Sequence, residues 1–410
     1  MKIEVLNTGS ELLLGHVTNT HLTYLAQELF SFGLRVERQV TVPDGAAIRT
    51  ALAEAVQRAD LVIVTGGLGP TSDDITRDVA AELFQRTLIY HDTIFQEIRA
   101  YLSTRHVIIS DLNKNQAMVP EGAIVLKNDF GTAPGLIIED GGKAVVLLPG
   151  PPRELKPMWK NKVEPWLRDK LAALKRPPVY ERIWRIVAVG ESRVQDMLEP
   201  VLKDLGEFEF GYCARAGEVD FRLITHDAAA LDKAAVIIRE KIGDAIYAEG
   251  TQSMESTVIT LATAKGLKIA TAESCTGGLV AHRLTNVPGA SAVYYRGWVT
   301  YSNLAKVEEL GVDATLILEK GAVSREVAKA MAEGALATAN ADVAVALTGI
   351  AGPDGGTPEK PVGTVWIAVA TKEKTEAFRK IFSTDRETFK YMASQSALDA
   401  VRKVVIQMHK

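Results

Sequence analysis

A serine and a lysine in the last third of the chain are residue types that could together cleave an amide. Ser274 lies in the segment 269–279, where the pattern predicts a strand that turns into a helix. A hydroxyl at such a turn is exposed, and the amides of Thr276, Gly277 and Gly278 could stabilise negative charge on a carbonyl oxygen. The alternative interpretation is that Ser274 or Thr276 only caps the helix.

Lys306 is the candidate base for this serine, because a partly desolvated lysine has a lowered pKa. It ends the segment 297–306, and Tyr301, five residues earlier, could orient the amine or relay a proton. The alternative is an ordinary solvated lysine on the surface. Cys275 is a competing nucleophile, because a helix N-terminus would lower the pKa of its thiol.

A third segment, 347–356, is the end of a predicted strand that opens into a loop with four glycines. Such a loop allows backbone amides to approach a phosphate or a sugar closely. The alternative is a long surface turn without a ligand.

Together, these segments resemble the CinA C-terminal, or PncC, family of nicotinamide-mononucleotide amidohydrolases. The matching stretches are TAESCTGG at 271–278, RGWVTYSNLAK at 296–306, GAVS at 321–324 and TGIAGPDGGTPEKPVGTVW at 348–366. The resemblance implies hydrolysis of nicotinamide mononucleotide to nicotinate mononucleotide and ammonia, without a cofactor. It implies Ser274 as nucleophile, Lys306 as base and Tyr301 as an assisting hydroxyl. The residues that it implies for substrate binding are Thr276, Gly277, Gly278, Asn303, Gly349, Ile350 and Gly352.

Two further glycine-rich loops, 7–15 and 65–74, follow predicted strands near the start of the chain. Both are expected to face one cleft. Glycines permit close approach to phosphate, and Asp73 and Asp74 could hold a divalent cation that bridges a diphosphate. The alternative is that the two aspartates cap a helix that begins near Ile75.

With the segments 128–135 and 148–155, these loops resemble the molybdopterin-binding, MogA- and MoaB-like domain at the front of full-length CinA proteins. In that family context the domain is associated with cleavage of ADP-ribose and a divalent metal, here held by Asp73 and Asp74. Leu68 stands where a threonine is common in the wider fold, and a front domain that only binds its ligand is an alternative. The residues implied for the nucleotide site are Glu11, Gly66, Gly67, Gly69, Thr71, Asn128, Gly131, Thr132, Pro149 and Gly150.

The elements that must position these residues are predicted to form three domains. Residues 1–174 alternate β-branched runs with helical stretches, as a parallel α/β sheet requires. The sequence Lys175-Arg176-Pro177-Pro178 interrupts this pattern and predicts a boundary. The elements predicted before it are strands at Ile3–Asn7, Arg35–Val42, Asp60–Thr65 and Lys143–Leu148, and helices at Asn19–Phe32, Asp44–Arg58 and Asp74–Phe84, with Asp44 as a cap.

Residues 175–250 predict a small α+β, KH-like domain, and residues 251–410 an α/β amidase domain. No GxxG loop occurs between Val179 and Gly250, and the 9 basic against 14 acidic residues of that stretch argue against RNA binding. It is interpreted as a structural or dimerising spacer. The main predicted elements are strands at Tyr180–Val187, Glu207–Cys213, Val219–Thr225, Leu267–Ala272, Val343–Leu347 and Gly363–Ala370, and helices at Ser192–Leu202, Ala228–Ile242, after Ser253, at 324–339 and after Asp385.

Composition bounds the class of protein. With 47% apolar and 24% charged residues, the chain resembles an ordinary soluble protein, and no run of about 18 apolar residues predicts a membrane span. Two cysteines without CxxC spacing fit a reducing compartment, so a cytoplasmic location is expected. The net charge of -4 makes nucleic acid an unfavoured partner. A homodimer is expected, and the competing class is a non-enzymatic pterin-binding or competence-associated scaffold.

Overall fold

Strands and helices alternate along the first of two compact units, residues 1–178 and 179–410. The computed structural model describes residues 1–172, 174 and 177–408, so the predicted boundary residues Lys175 and Arg176 lie outside the described residues. The strands of the first unit are β1 (Ile3–Thr8), β2 (Val36–Val42), β3 (Leu61–Thr65), β4 (Leu88–Tyr90), β5 (Met118–Pro120), β6 (Ile124–Leu126), β7 (Gly135–Asp140) and β8 (Lys143–Leu148). Its α-helices are α1 (Ser10–Leu13), α2 (His21–Phe30), α3 (Ala47–Arg58), α4 (Thr76–Leu83), α5 (Asp92–Ser103), α6 (Pro152–Met158) and α7 (Glu164–Ala172).

The main sheet of this unit has the order β2-β1-β3-β8-β7-β6. The first four strands are parallel, which confirms the predicted parallel α/β sheet. β7 and β6 extend one edge in antiparallel pairing, and this extension was not predicted. β6 has only three residues, too few to show a period, and the start of β7 was interpreted as part of a site loop. Apolar clusters cover both faces of the sheet, as a doubly wound fold requires.

Several helices of the first unit begin later than predicted, because their polar residues bind elsewhere. Asp44 does not cap α3, which follows Ala46; its carboxylate accepts hydrogen bonds from the amide (2.9 Å) and hydroxyl (3.1 Å) of Ser10. The helix predicted from Asn19 begins at His21, and the one predicted from Asp74 begins at Thr76. The polar side chains expected at these helix starts therefore form loop contacts instead of capping the helices.

The second unit starts with a KH-like α+β module, as predicted. Its elements are β9 (Tyr180–Val187), α8 (Glu191–Leu202), β10 (Glu209–Arg215), β11 (Glu218–Thr225), α9 (Ala228–Ile242) and β12 (Ile246–Glu249). The strands form an antiparallel sheet of order β10-β11-β9-β12, in which β12 was not predicted. Trp184 stacks on Phe221 with ring centroids 5.9 Å apart in the core. The module and the C-terminal domain belong to one compact unit.

The C-terminal domain is α/β, as predicted, and is built around one mixed sheet of order β14-β13-β15-β16-β17. The order reverses at β13, whose two neighbours are both parallel to it. Ligands bind open α/β sheets outside the carboxyl ends of the strands at such a point. The elements are α10 (Met254–Lys265), β13 (Ile269–Glu273), α11 (Leu279–Thr285), β14 (Tyr294–Val299), α12 (Asn303–Leu310), α13 (Ala314–Lys320), α14 (Arg325–Ala339), β15 (Val343–Gly349), β16 (Thr364–Thr371), β17 (Thr375–Ile381) and α15 (Arg386–Gln407).

Helices cover both faces of this sheet. α10, α11 and α15 pack on one face and α12 to α14 on the other. The helices expected after Ser253 and Asp385 begin there, and the side chains of both residues cap them by accepting hydrogen bonds from the first turns of α10 and α15. Within the part of the chain that the structure describes, no helix is both long and apolar enough to cross a membrane.

Candidate functional site

Ser274 follows the last residue of β13 and begins a tight turn at the edge of the sheet. Its amide donates to the carbonyl of Leu347 on β15 (3.0 Å), and its carbonyl accepts from the amide of Gly277 (3.1 Å). Gly277 and Gly278 have φ values of 63° and 93°, which glycine adopts without strain. The two glycines therefore reverse the chain between Ser274 and the next helix.

Helix α11 begins only after this turn, and Glu273 occupies its N-terminus. Its N-cap is Gly278, without a side-chain cap, so the interpretation of Ser274 or Thr276 as a cap is wrong. The buried carboxylate of Glu273 instead accepts from the amides of Val280 (3.0 Å) and Ala281 (2.8 Å). These are amides that a helix start leaves without a partner. Sequence reasoning missed Glu273, because a carboxylate at the end of a buried strand matches no capping motif.

Thr276, Gly277 and Gly278 were predicted to supply amides at the start of a helix. In the structure they precede α11. The amide of Gly277 is used within the turn. The amide of Thr276 has no acceptor among the residues that the structure describes. A backbone donor thus remains in the turn after Ser274, rather than in the first turn of the helix.

Lys306 is buried on α12, with a side chain only 1% exposed. Its Nζ lies 3.2 Å from Ser274 Oγ and 2.9 Å from the carbonyl oxygen of Thr300, with two longer contacts of 3.4 Å to the carbonyls of Tyr301 and Ser302. Burial lowers the pKa of Lys306, because desolvation disfavours the ammonium form. The interpretation of Lys306 as a surface lysine is therefore wrong, and the structure places the predicted base beside the predicted nucleophile.

Tyr301 contacts Lys306 through its backbone carbonyl and not through its hydroxyl. The hydroxyl accepts a hydrogen bond from Arg386 Nη2 (2.9 Å), while Arg386 Nη1 donates to the carbonyl of Gly352 (2.8 Å). The predicted proton relay through the Tyr301 hydroxyl is thus not formed. Arg386 connects the tyrosine to the glycine-rich loop. No local motif indicated it, because its partners lie 34 and 85 residues away in sequence.

The loop after β15 begins at Gly349, where a Cβ would lie 2.6 Å from the carbonyl oxygen of Thr364. The amide of Ile350 donates to that same carbonyl (2.8 Å), so it anchors the loop and is not free for a substrate. Gly352 is buried, and its carbonyl oxygen accepts a hydrogen bond from Arg386. Asn303 is exposed at the start of α12. The predicted binding residues therefore surround the site, but Ile350 and Gly352 serve its architecture.

Three buried threonine hydroxyls lie on the segments that form this site and have no hydrogen-bond partner among the described residues. They belong to Thr276, Thr300 and Thr364. Buried hydroxyls are normally bonded, so unpaired ones call for a ligand or a bound water. Lys390 Nζ, also without a partner in the described part of the chain, lies 3.7 Å from where a Cβ of Gly277 would be.

The predicted residues of the front domain also come together, at the carboxyl ends of β1, β3 and β8. The amide of Gly66 donates to Leu148 (2.9 Å), and a Cβ on Gly66 would lie 2.5 Å from Thr8 Oγ1. Gly150, which follows Pro149, packs on Gly66 with a Cβ-to-Cα separation of 3.8 Å. The short contact to Thr8 and a φ of 99° require glycine at position 66, whereas a Cβ at position 150 would make only an ordinary contact.

Asp74 stabilises the conformation of the loop beside these glycines. Its carboxylate accepts from the amide of Thr71 (3.0 Å) and from the Thr71 hydroxyl, and it fills the space next to Gly69. The cap of α4 is Ile75, without a side-chain bond, so the capping interpretation of the aspartates is wrong. A hydrogen bond from Thr71 lowers the pKa of Asp73, which keeps this exposed carboxyl ionised at neutral pH.

No group of three or more His, Cys, Asp or Glu side chains in the described ranges is arranged to hold a metal ion. Two carboxylates are nevertheless a sufficient protein share for Mg²⁺, which is usually held by one or two carboxylates, substrate phosphates and water. Asp73 and Asp74 are carboxylates of this kind, and Asp73 is the more exposed of the two.

Three other predicted front-domain residues, Asn128, Gly131 and Thr132, line a cavity of about 250 Å³. Asn128 donates to Glu154 (2.9 Å), whose carboxylate packs against Gly131. Gln116 donates to Thr132 Oγ1 (3.1 Å) and to the carbonyl of Leu68 (3.3 Å), so it links the two loops. Gln116 and Glu154 were missed, because they support the loops and lie outside the motifs. Glu11 is exposed, and its carboxylate lies against Gly9.

With this geometry in place, comparison with known proteins identifies the class to which the three-part chain belongs. Family models match residues 4–169 ("Probable molybdopterin binding domain"), 181–248 ("Damage-inducible protein CinA KH domain") and 251–405 ("CinA C-terminal domain"). A CinA-like protein of Akkermansia muciniphila is 47% identical over 98% of both chains. Another CinA-like protein, from Kosmotoga olearia, is 41% identical over 100% of both chains. The chain belongs to the CinA family.

Among solved structures, the competence/damage inducible protein CihA from Agrobacterium tumefaciens is 42% identical. The match covers 38% of this chain and 94% of that chain, with a TM-score of 0.37.

The environment of Cys275 predicts that its thiol is inert in the folded protein. The side chain is 5% exposed, and burial raises the pKa of this thiol to about 12. Cys213 is exposed. At pH 8, iodoacetamide should label only Cys213 in the native protein and both cysteines after denaturation, as read by mass spectrometry. Rapid labelling of native Cys275 would restore the thiol as a candidate nucleophile.

Proposed function

We propose that the C-terminal domain hydrolyses the amide of nicotinamide mononucleotide, giving nicotinate mononucleotide and ammonia. The observation that carries the proposal is the 3.2 Å contact between the buried Lys306 amine and the Ser274 hydroxyl. No ion pair with a carboxylate neutralises Lys306 within the described residues. An amine in this setting favours its neutral form and can accept the serine proton.

The reaction proceeds through an ester. Ser274 Oγ attacks the carboxamide carbon while Lys306 Nζ takes its proton, and the unpaired amide of Thr276 would stabilise the oxyanion. Lys306 then gives the proton to the departing nitrogen, which leaves as ammonia. Water, deprotonated by Lys306, attacks the ester, and the carboxylate product and the Ser274 hydroxyl are released. The thiol of Cys275 takes no part, because its raised pKa keeps it protonated.

Two cationic side chains on α15 support a nucleotide as the substrate. Lys390 lies beside the Gly277 turn, and Arg386 joins Tyr301 to Gly352. A phosphate near this turn would find the Lys390 ammonium, which otherwise has no partner in the described part of the chain. We propose that Lys390 binds the phosphate and that Thr276 contributes its unpaired hydroxyl.

Replacing the nucleophile tests the amidase directly. Ser274→Ala should reduce ammonia release from nicotinamide mononucleotide at least about 1,000-fold, because the ester can no longer form. Ser291→Ala, at an exposed serine away from the site, serves as the matched control and should keep the parent rate. Release is measured by a coupled ammonia assay and product chromatography. A Ser274→Ala protein with the parent rate would rule out this mechanism.

The proposed role of Lys306 as the base predicts how kcat/KM depends on pH. Because the reactive form is the neutral amine, kcat/KM should rise about tenfold per pH unit at low pH and level off above the Lys306 pKa. Burial lowers that pKa, so the midpoint should lie below the ordinary lysine value of 10.5. Lys306→Arg, which stays protonated, should be inactive across the range. A rate independent of pH between 6 and 10 would contradict a lysine base.

For the front domain we propose metal-dependent hydrolysis of the diphosphate of ADP-ribose. The hydroxyl of Thr76 lies beside Gly67, and both it and Nε of the next residue, Arg77, are buried without a hydrogen-bond partner among the described residues. Glycines 66, 67 and 69 let a phosphate approach the backbone closely. A divalent ion held by Asp73 and Asp74 would neutralise charge on the diphosphate. The chain's own groups would orient the substrate against it.

Removing one carboxylate tests this second activity. Asp73→Asn should lower ADP-ribose hydrolysis with Mg²⁺ at least about tenfold, because the metal loses its freer ligand. Asp169→Asn, at an exposed aspartate on α7, is the matched control. Chelation by EDTA should abolish turnover of the parent protein. Binding of ADP-ribose without turnover would instead identify the front domain as a binding module. Salt-sensitive DNA binding without turnover of either nucleotide would favour a scaffold.

A further inference from the structure

A buried hydrogen-bond network connects the KH-like module to the domain that carries Ser274. Its first member, Glu218, lies at the start of β11 and is buried. Glu218 Oε2 accepts from the hydroxyl of Tyr247 (2.6 Å) and from Nε2 of Gln395 on α15 (2.8 Å). Its other oxygen lies 3.9 Å from Arg215 Nη1. The carboxylate of the module thus reaches a side chain of the C-terminal domain.

Gln395 also forms a hydrogen bond with Arg283 on α11. Its Oε1 accepts from Arg283 Nη2 (2.5 Å), which also donates to Glu255 Oε2 (2.7 Å), and Arg283 Nη1 donates to Ser394 Oγ (2.8 Å). The guanidinium lies over the Tyr391 ring, 4.7 Å from its centroid. Each donor in the series meets an acceptor, so the Gln395 amide is held in one orientation, with its oxygen toward Arg283 and its nitrogen toward Glu218.

The network holds the helix that follows the Ser274 turn. Helix α11 has seven residues, with Glu273 bound to the amides at its start and Arg283 fixed near its end. A short rigid element held at both ends cannot rotate without breaking one of these sets of bonds. The direction in which Ser274 leaves β13 therefore depends on where α11 lies.

We propose that the KH-like module positions the Ser274 turn, through Glu218, Gln395 and Arg283. Glu218 is then a positioning residue of the amidase, although it lies in another domain and touches neither Ser274 nor Lys306. The proposal rests on the proposed amidase function for its kinetic consequence. Its structural consequence, the order of the segment 274–285, is independent of the substrate. Contact of the β10–β11 hairpin with α15 supports it, since a Cβ on Gly217 would lie 3.5 Å from Gln395 Cγ.

The test is a charge-exchange series in the full chain. Glu218→Gln removes the carboxylate, and Gln395→Glu places a second carboxylate opposite Glu218. The double variant E218Q/Q395E reverses the pair: the new amide nitrogen donates to the new carboxylate, which still accepts from Arg283. Tyr247→Phe weakens the network mildly if a charge variant fails to fold. Glu249→Gln, which breaks the exposed ion pair with Arg239, is the matched control in the same module.

Two readouts are compared below the unfolding temperature of every variant. We expect Glu218→Gln to lower kcat with nicotinamide mononucleotide about tenfold with KM within about twofold, since a displaced nucleophile lowers kcat. Amide hydrogen exchange in 274–285 should become about tenfold faster. The double variant should recover both to within about threefold of the parent, and Glu249→Gln should change neither.

The outcomes separate the two proposals. If the parent protein releases no ammonia, the proposed amidase fails, and hydrogen exchange alone decides whether the module positions this segment. If Glu218→Gln lowers only the unfolding temperature, leaving kcat and exchange in 274–285 at parent values, the positioning proposal is overturned. Failure of the double variant to improve on Glu218→Gln in either readout also overturns it.

Discussion

The site depends on keeping an amine out of water without giving it a counter-charge. An isolated ammonium is costly to bury, and a carboxylate beside it would restore the charge and end its use as a base. The protein surrounds Lys306 with carbonyl oxygens and one hydroxyl instead. The carbonyl oxygens accept hydrogen bonds from the amine in either protonation state, whereas the hydroxyl can donate to the neutral amine, the form that burial favours. The strand ends and the start of α12 must supply them together.

Parallel pairing provides this arrangement. Glu273 pairs with Val299 of β14 and with Leu347 of β15, so β13 and β14 end at the level of Leu347, while β15 continues to Gly349. The residues that follow are Ser274, Thr300 and Thr348, from segments far apart in sequence. Because β13 is the strand where the order reverses, its end faces a crevice with helices on both sides. The same principle places the glycines of the front domain after β1, β3 and β8.

Sequence alone predicted much of this, because parallel strands and glycine-rich turns have local patterns. The strands Tyr180–Val187 and Lys143–Leu148 have the predicted bounds, as does helix Ala228–Ile242. Ser274 and Lys306 were paired by motif, and the structure brings them into contact. Contacts between distant segments could not be read in this way. Glu273, Arg386 and Gln116 act through partners that only the folded chain brings near.

The difference between local sequence patterns and contacts of distant segments also explains why the capping interpretations were wrong. Asp44, Asp74 and Ser274 all stand where a helix cap is expected, yet each is used by a neighbouring loop or strand. A capping bond is worth only about 1 kcal/mol, so tertiary contacts override it readily. Capping patterns therefore predicted that a helix was near, but not where it began.

The contacts made along helix α15 do not tolerate the insertion of a residue within it. Arg386, Lys390 and Ser394 recur every four residues along it, so they share one face, and Gln395 adjoins them. At its far end, Lys265 Nζ binds the carbonyls of Val405, Ile406 and Met408. One inserted residue would turn everything beyond it by about 100°. Helix α15 can therefore vary in side chains but not in register.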